Sequence, residues 1–186
     1  MLWLYEYCLV FLFPKGKNRV LDERLELLTS AEIDFVPPKM GTHLTIVPTF
    51  SITEDCAESF VLGMQVARAQ QIGRNFFCAQ SGPVKIFNEE DERSLVQGFD
   101  LSNDYRTQVE SWRHLLLPAS SEKECFTFSP HVTVGAIKKG QSDAAISKKI
   151  TDLGGPDFKS FSLPLDKLSL MKKDNVDGKI VWEEIN

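Results

Sequence analysis

"GTHLTIVPTF" (residues 41–50) places His43 and Thr45 two positions apart in an otherwise apolar run. "FSPHVTVGAI" (residues 128–137) repeats the arrangement with His131 and Thr133. Residues two apart in an extended strand share a face, so each histidine stands beside its threonine. Leu44 and Ile46, or Val132 and Val134, then point to the opposite face. The chain has three histidines and nine threonines in 186 residues. Two such pairs among three histidines would arise by chance roughly 0.7% of the time. Two buried core histidines would need a partner for every polar atom. Two matched strands that bring their polar side chains to one ligand avoid that demand.

The chemistry suited to such a set is in-line phosphoryl transfer. A neutral imidazole takes a proton from an attacking hydroxyl or water, and an imidazolium protonates the leaving oxygen. Histidine supplies both forms near neutral pH, because its unperturbed pKa is about 6.5. Two hydroxyls flanking the phosphorus can donate to its non-bridging oxygens. Residue types alone do not say which histidine is the acid and which the base.

Working outward, residues 2–13 read as a buried strand rich in aromatic and aliphatic side chains. Leu21, Leu25 and Leu28 predict a helix. "FVPPK" breaks the chain before the first histidine strand, about residues 42–48. Ser51-x-x-Glu54 reads as a capping box opening a second helix, with Ile52, Phe60, Met64 and Ala67 inward. Two strand-like runs follow, "NFFCAQSGPVKIF" and "RSLVQGFDL". A third helix carries Tyr105, Val109, Trp112 and Leu116 on one face, which leaves His114 an exposed bystander. After the second histidine strand (about 125–137) comes a fourth helix with Ile146, Ile150 and Leu153 inward, ending at Gly154-Gly155-Pro156. "FSLPLDKLSLMKK" and "KIVWEEI" read as a closing hairpin around "DNVDG". The histidines lie about half a chain apart, which suggests two similar α+β lobes in one domain spanning residues 1–186.

Net charge is −5, with a pI near 5.3. Such a surface does not attract long nucleic acid. Residues 1–130 carry 12 Lys/Arg against 18 Asp/Glu, whereas residues 131–186 carry 9 against 8. Lysine pairs at 138/139, 148/149 and 172/173 fall in that second part and mark a possible local phosphate patch. Four scattered cysteines read as reduced thiols of a cytosolic or nuclear protein. The apolar N-terminal run is too short for a bilayer span and lacks a basic flank, so no membrane is expected.

With both motifs and their flanks, "VPPKMGTHLTIVPTF" and "FSPHVTVG", the chain resembles the two-histidine (2H) phosphoesterase superfamily. That superfamily includes bacterial 2′–5′ RNA ligase-like proteins and cyclic phosphodiesterases. The resemblance implies a bilobal α+β fold, with two antiparallel sheets flanking a central cleft and helices on the outer faces. It makes His43 and His131 the acid/base pair and Thr45 and Thr133 the phosphate ligands, and it implies metal-independent chemistry. No cofactor is expected. Two histidines without neighbouring cysteine or carboxylate ligands make a poor zinc shell.

The expected activity is hydrolysis of a cyclic phosphodiester, such as a 2′,3′-cyclic phosphate on a nucleotide or RNA end, or ADP-ribose cyclic phosphate. Alternatives are 2′–5′ ligation or cleavage, RNA 3′-end trimming, and a non-catalytic nucleotide-binding module. The protein is expected to be a monomer. Trp3, Tyr5 and Phe50 are candidates for base stacking. Ser129 is a candidate extra donor, and Lys138 could reach the cleft from the end of the second histidine strand.

Overall fold

The first apolar run becomes strand β1 (Leu4–Leu12), whose Tyr7, Leu9 and Phe11 enter the main core. The computed structural model describes residues 4–71, 77–89, 92–116, 128–154, 158–166 and 168–185, with backbone alone at 66–71, 77, 89, 92 and 114–116. Helix α1 (Arg19–Thr29) follows, capped by Asn18, whose side chain accepts the Leu21 N–H. That bond satisfies a donor with no acceptor inside the helix. Leu21 and Leu28 are fully buried. The chain continues through β2 (Phe35–Val36), β3 (His43–Thr53), α2 (Glu54–Gln71), β4 (Phe77–Glu89) and β5 (Glu92–Leu101). Helix α3 (Asn103–Leu116), β6 (His131–Ile137), α4 (Asp143–Asp152), β7 (Ser162–Leu165), β8 (Leu168–Val176) and β9 (Lys179–Ile185) complete it.

All recorded strand pairings are antiparallel, in the order β7-β4-β5-β6-β3-β1-β8-β9, with β2 added on β6. The two antiparallel sheets expected from the resemblance are therefore joined into one. The seam is β3–β6, where Leu44 pairs with Val132. Leu44, Ile46 and Val132 lie in the main core with Met64 of α2 and Tyr105 and Val109 of α3. A second cluster joins Leu28 of α1 and Ile146 of α4 to Leu95, Val134 and Ile137. The four described helices thus pack on the face of the sheet that Leu44, Val132 and Val134 enter. His43, Thr45, His131 and Thr133 occupy the other face.

Three local expectations change. Ser51 does not cap α2, because β3 runs on to Thr53 and Ser51 pairs with Glu6 of β1; Ile52 likewise belongs to the strand. "FSLPLDKLSLMKK" is two strands. β7 pairs with β4 at one edge of the sheet, and β8 inserts between β1 and β9 in the other half. Leu163, Leu165, Leu168 and Leu170 all feed the same core, with the alternation slipping by one residue between Leu165 and Leu168, where one strand ends and the next begins. The closing turn is tighter than "DNVDG". Val176 pairs with Lys179, and Asp177 (φ 52°) and Gly178 (φ 76°) make a two-residue loop. Both of its residues take the left-handed conformation that such hairpin loops require.

Candidate active site

The register that sets Leu44 opposite Val132 also sets His43 opposite Thr133 and Thr45 opposite His131. Directly opposed residues on one face have Cβ atoms about 5 Å apart. The two imidazoles and two hydroxyls therefore alternate around a small square. The rows extend outward. Leu12 pairs with His43, Thr133 with Val96, and Val96 with Lys85. In the adjacent row, Val10 pairs with Thr45 and Gly98 with His131.

Each histidine is tethered by a carbonyl two residues earlier in the chain. His43 Nδ1 donates to Gly41 O at 2.7 Å, and His131 Nδ1 donates to Ser129 O at 2.8 Å. A carbonyl oxygen can only accept, so Nδ1 carries the proton in both rings. Nε2 is then the working nitrogen of each, a lone pair in the neutral ring and a donor in the imidazolium. Gly41 has φ 77° and its N–H bonds Pro38 O at 3.2 Å, closing the turn that presents its carbonyl to His43. Only glycine takes that backbone conformation without strain.

The environment of His43 holds its pKa below the ordinary 6.5. Burial is the main cause, and the charge His131 can carry lowers it further, while the bond to Gly41 O pulls the other way. The neutral form of His43 is thus favoured.

On the His43 side the sheet floor is apolar: Cys8, Val10 and Met171, with Leu12, Met40 and Trp182 packed against them. Burial pushes the Cys8 thiol up to about 12, leaving it protonated and unreactive. On the His131 side, the Phe87 ring meets the imidazole edge-on, with centroids 4.6 Å apart. Beyond it lies an open cavity lined in part by Lys85, Gly98, Asp100, Arg106, Phe128 and Ser129. Among the described residues, no three His, Cys, Asp or Glu side chains cluster as metal ligands would.

The structure brings His43, Thr45, His131 and Thr133 together and disperses the weaker candidates. Phe50 is 1% exposed and packs between Tyr7 and Phe60, so it is core rather than a stacking platform. Tyr5 also packs against the core, with Lys172 Nζ 4.3 Å from its ring centre. Lys138 ion-pairs with Asp34 at 3.5 Å. Ser129 contributes through its carbonyl to His131 and lines the cavity. Trp3 and the His114 side chain lie outside the described residues. The lysine pairs do not form a patch: Lys149 donates to Glu32 O at 2.6 Å, and Lys173 pairs with Glu6 at 2.8 Å. Phe87, Lys85 and Arg106 carry no motif that marks them in the sequence.

The fold has solved counterparts. Usb1 of Kluyveromyces marxianus, determined with uridine monophosphate, is 14% identical, with a TM-score of 0.50 over 98% of this chain and 97% of that one. E. coli LigT, complexed with 3′-AMP, is 14% identical, with a TM-score of 0.50 over 99% of this chain and 96% of that one.

This chain shares the fold of Usb1 and LigT. At such identity the likeness is one of architecture. No family model and no curated protein matches the sequence.

Proposed function

We propose that the protein is a phosphodiesterase that hydrolyses a cyclic phosphodiester, a 2′,3′-cyclic phosphate at the end of a nucleotide or RNA, without a metal ion. The observation that carries this is the square of alternating imidazoles and hydroxyls, with both Nδ1 atoms tethered so that both Nε2 atoms serve one ligand. Thr45 and Thr133 donate to the non-bridging oxygens. His43, whose surroundings favour the neutral ring, takes a proton from water as its oxygen bonds to phosphorus. His131 gives a proton to the ribose oxygen as its bond to phosphorus breaks. The product is a phosphomonoester; His43 then releases its proton to solvent and His131 takes one up, which resets the pair. The nucleotides held by Usb1 and LigT support a nucleotide substrate.

The test is product analysis by phosphorus NMR and chromatography. A 2′,3′-cyclic nucleotide, ADP-ribose cyclic phosphate and 2′–5′ oligoadenylate are offered in parallel. The cyclic substrates should open to monoesters. Turnover of 2′–5′ oligoadenylate alone would replace this reading with 2′–5′ cleavage. Cyclic-phosphate opening that persists in His43→Ala or His131→Ala would refute the mechanism.

A further inference from the structure

The four residues are symmetric about a phosphate, but the sheet face around them is not. One cross-strand row runs Leu12, His43, Thr133, Val96, Lys85. Its β1 end continues into the apolar floor of Met40, Met171 and Trp182. Its β4 end enters the cavity walled by Lys85, Phe87 and Arg106. Phe87 connects that cavity to His131 through their edge-on contact, and Ser129, whose carbonyl holds His131, lines it too. Cavity and catalytic square are therefore adjoining.

The cavity's cations are uncommitted. Five arginines have described side chains, and four are engaged: Arg19 with Glu23, Arg24 with Gln97, Arg93 with Asp143 and Arg113 with Ile46 O. Arg106 is half-buried, and its guanidinium has no hydrogen-bond or ion-pair partner among the described residues. Lys85 Nζ has none either. Among the described lining residues Asp100 is the one acidic group, which gives them a formal balance of one positive charge. A half-buried arginine gives up hydration that only an anion or a set of acceptors restores. Lys85 is two strand spacings from Thr133, about 10 Å at the backbone. The reach of a lysine side chain shortens that gap to the order of one nucleotide.

We infer that this cavity is a subsite for a second phosphate, and that the substrate carries at least two, one in the histidine–threonine square and one against Lys85 and Arg106. The nucleoside that joins the two phosphates spans the gap between them. This rests on the nucleotide reading proposed above. It narrows the substrate from any cyclic phosphodiester to one with a defined direction in the cleft. The second phosphate comes either from the same nucleoside or from the next nucleotide in a strand.

Calorimetric binding of unreactive product-type ligands separates the possibilities. The probes are adenosine 3′-monophosphate, adenosine 3′,5′-bisphosphate and the dinucleotide ApAp with a 3′-terminal phosphate. One of the two-phosphate ligands should bind about tenfold tighter than the monophosphate, and which one does so identifies the source of the second phosphate. Lys85→Ala and Arg106→Gln should each remove most of that advantage and leave monophosphate binding within about twofold. Their thermal midpoints should match the wild type. The salt slope for the tighter ligand should be steeper by about one contact, near −0.7 in log affinity.

Equal binding of all three ligands by the wild type, or equal weakening of all three in the variants, overturns the subsite and leaves the nucleotide reading standing. Failure of every ligand to bind overturns both. Lost cyclic-phosphate hydrolysis with the tenfold advantage intact refutes the proposed reaction alone.

Discussion

Gly98 faces His131 across β5–β6, and a Cβ there would lie 2.8 Å from the Pro83 carbonyl oxygen, against an ordinary contact of 3.4 Å or more. Gly98→Ala therefore demands a shift of several tenths of an ångström between β4 and β5. Neither strand yields easily, since β4 is paired on both sides and buried Gln97 donates to Gly82 O at 2.7 Å and Gly98 O at 3.0 Å. Overpacking of this kind costs about 1–3 kcal/mol. Alanine recovers roughly 0.5–1 kcal/mol through the less flexible unfolded chain. Taking the middle of each range, the net loss is about 1 kcal/mol, a fall of roughly 2–4 °C in Tm for a domain of this size. Gly82→Ala is the control: it sits on the facing strand beside the same bulge, and its nearest contacts, at 3.6 Å, are ordinary. Thermal melts of the two variants should therefore differ, with Gly82→Ala close to wild type. Equal midpoints for the two would refute the reasoning, because the two sites differ chiefly in that one oxygen.

His43→Ala and His131→Ala should each abolish turnover of a cyclic phosphate with Tm nearly unchanged, and the double variant should be little worse than either single; near-normal kcat in one single variant would contradict this. His43 has a folded pKa below its unfolded value of about 6.5, so the folded state binds that proton less readily than the unfolded chain. The associated stability is present above 6.5 and is lost as pH falls through the folded value. Melts of wild type and His43→Gln at about pH 7 and 5 should therefore show the larger acid loss in the wild type, and the acid limb of kcat/KM should lie below 6.5. Leu44→Ala, at the fully buried seam, should cost about 2–5 kcal/mol in urea unfolding, and a loss under about 1 would show that the seam is not tightly packed. Turnover should survive EDTA; loss of activity restored by a single divalent ion would reject the metal-independent reading.

The helices and the site were legible for different reasons. Leu21 and Leu28, like Tyr105 and Val109, recur at helical spacing, and each enters the core as that spacing requires. The site was legible because its geometry is local: a strand's two-residue period places histidine beside threonine, and the pairing of two such strands does the rest. Partner choice between strands is not local. Nothing in "FSLPLDKLSLMKK" distinguishes a strand for β4 from a strand for β1, since leucines alternate on both sides of Asp166. Phe50 and Tyr5 were legible by the same local rule: Phe50 shares the parity of Leu44 and Ile46, and Tyr5 that of Tyr7 and Leu9, so alternation sets both toward the core and away from the histidine face. Lys85 and Arg106 meet only because β4 and α3 converge on one cavity from sites 21 positions apart.

The strand order also sets a timetable for synthesis. Apart from the two-residue β2, the half-sheet bearing His131 is assembled from β4, β5, β6 and β7, a continuous stretch of chain. The half bearing His43 is not: β1 lies between β3 and β8, and β8 is translated some 150 residues after β1. At ribosomal speeds of about 5–20 residues per second, β1 waits roughly 8–30 s with one edge open. That edge carries Cys8, Val10 and Phe11, an apolar run able to pair with another nascent chain. The strand paired with His43 is thus also the segment most exposed to misassembly on the ribosome, and a chaperone contact during translation would fall on residues 4–12.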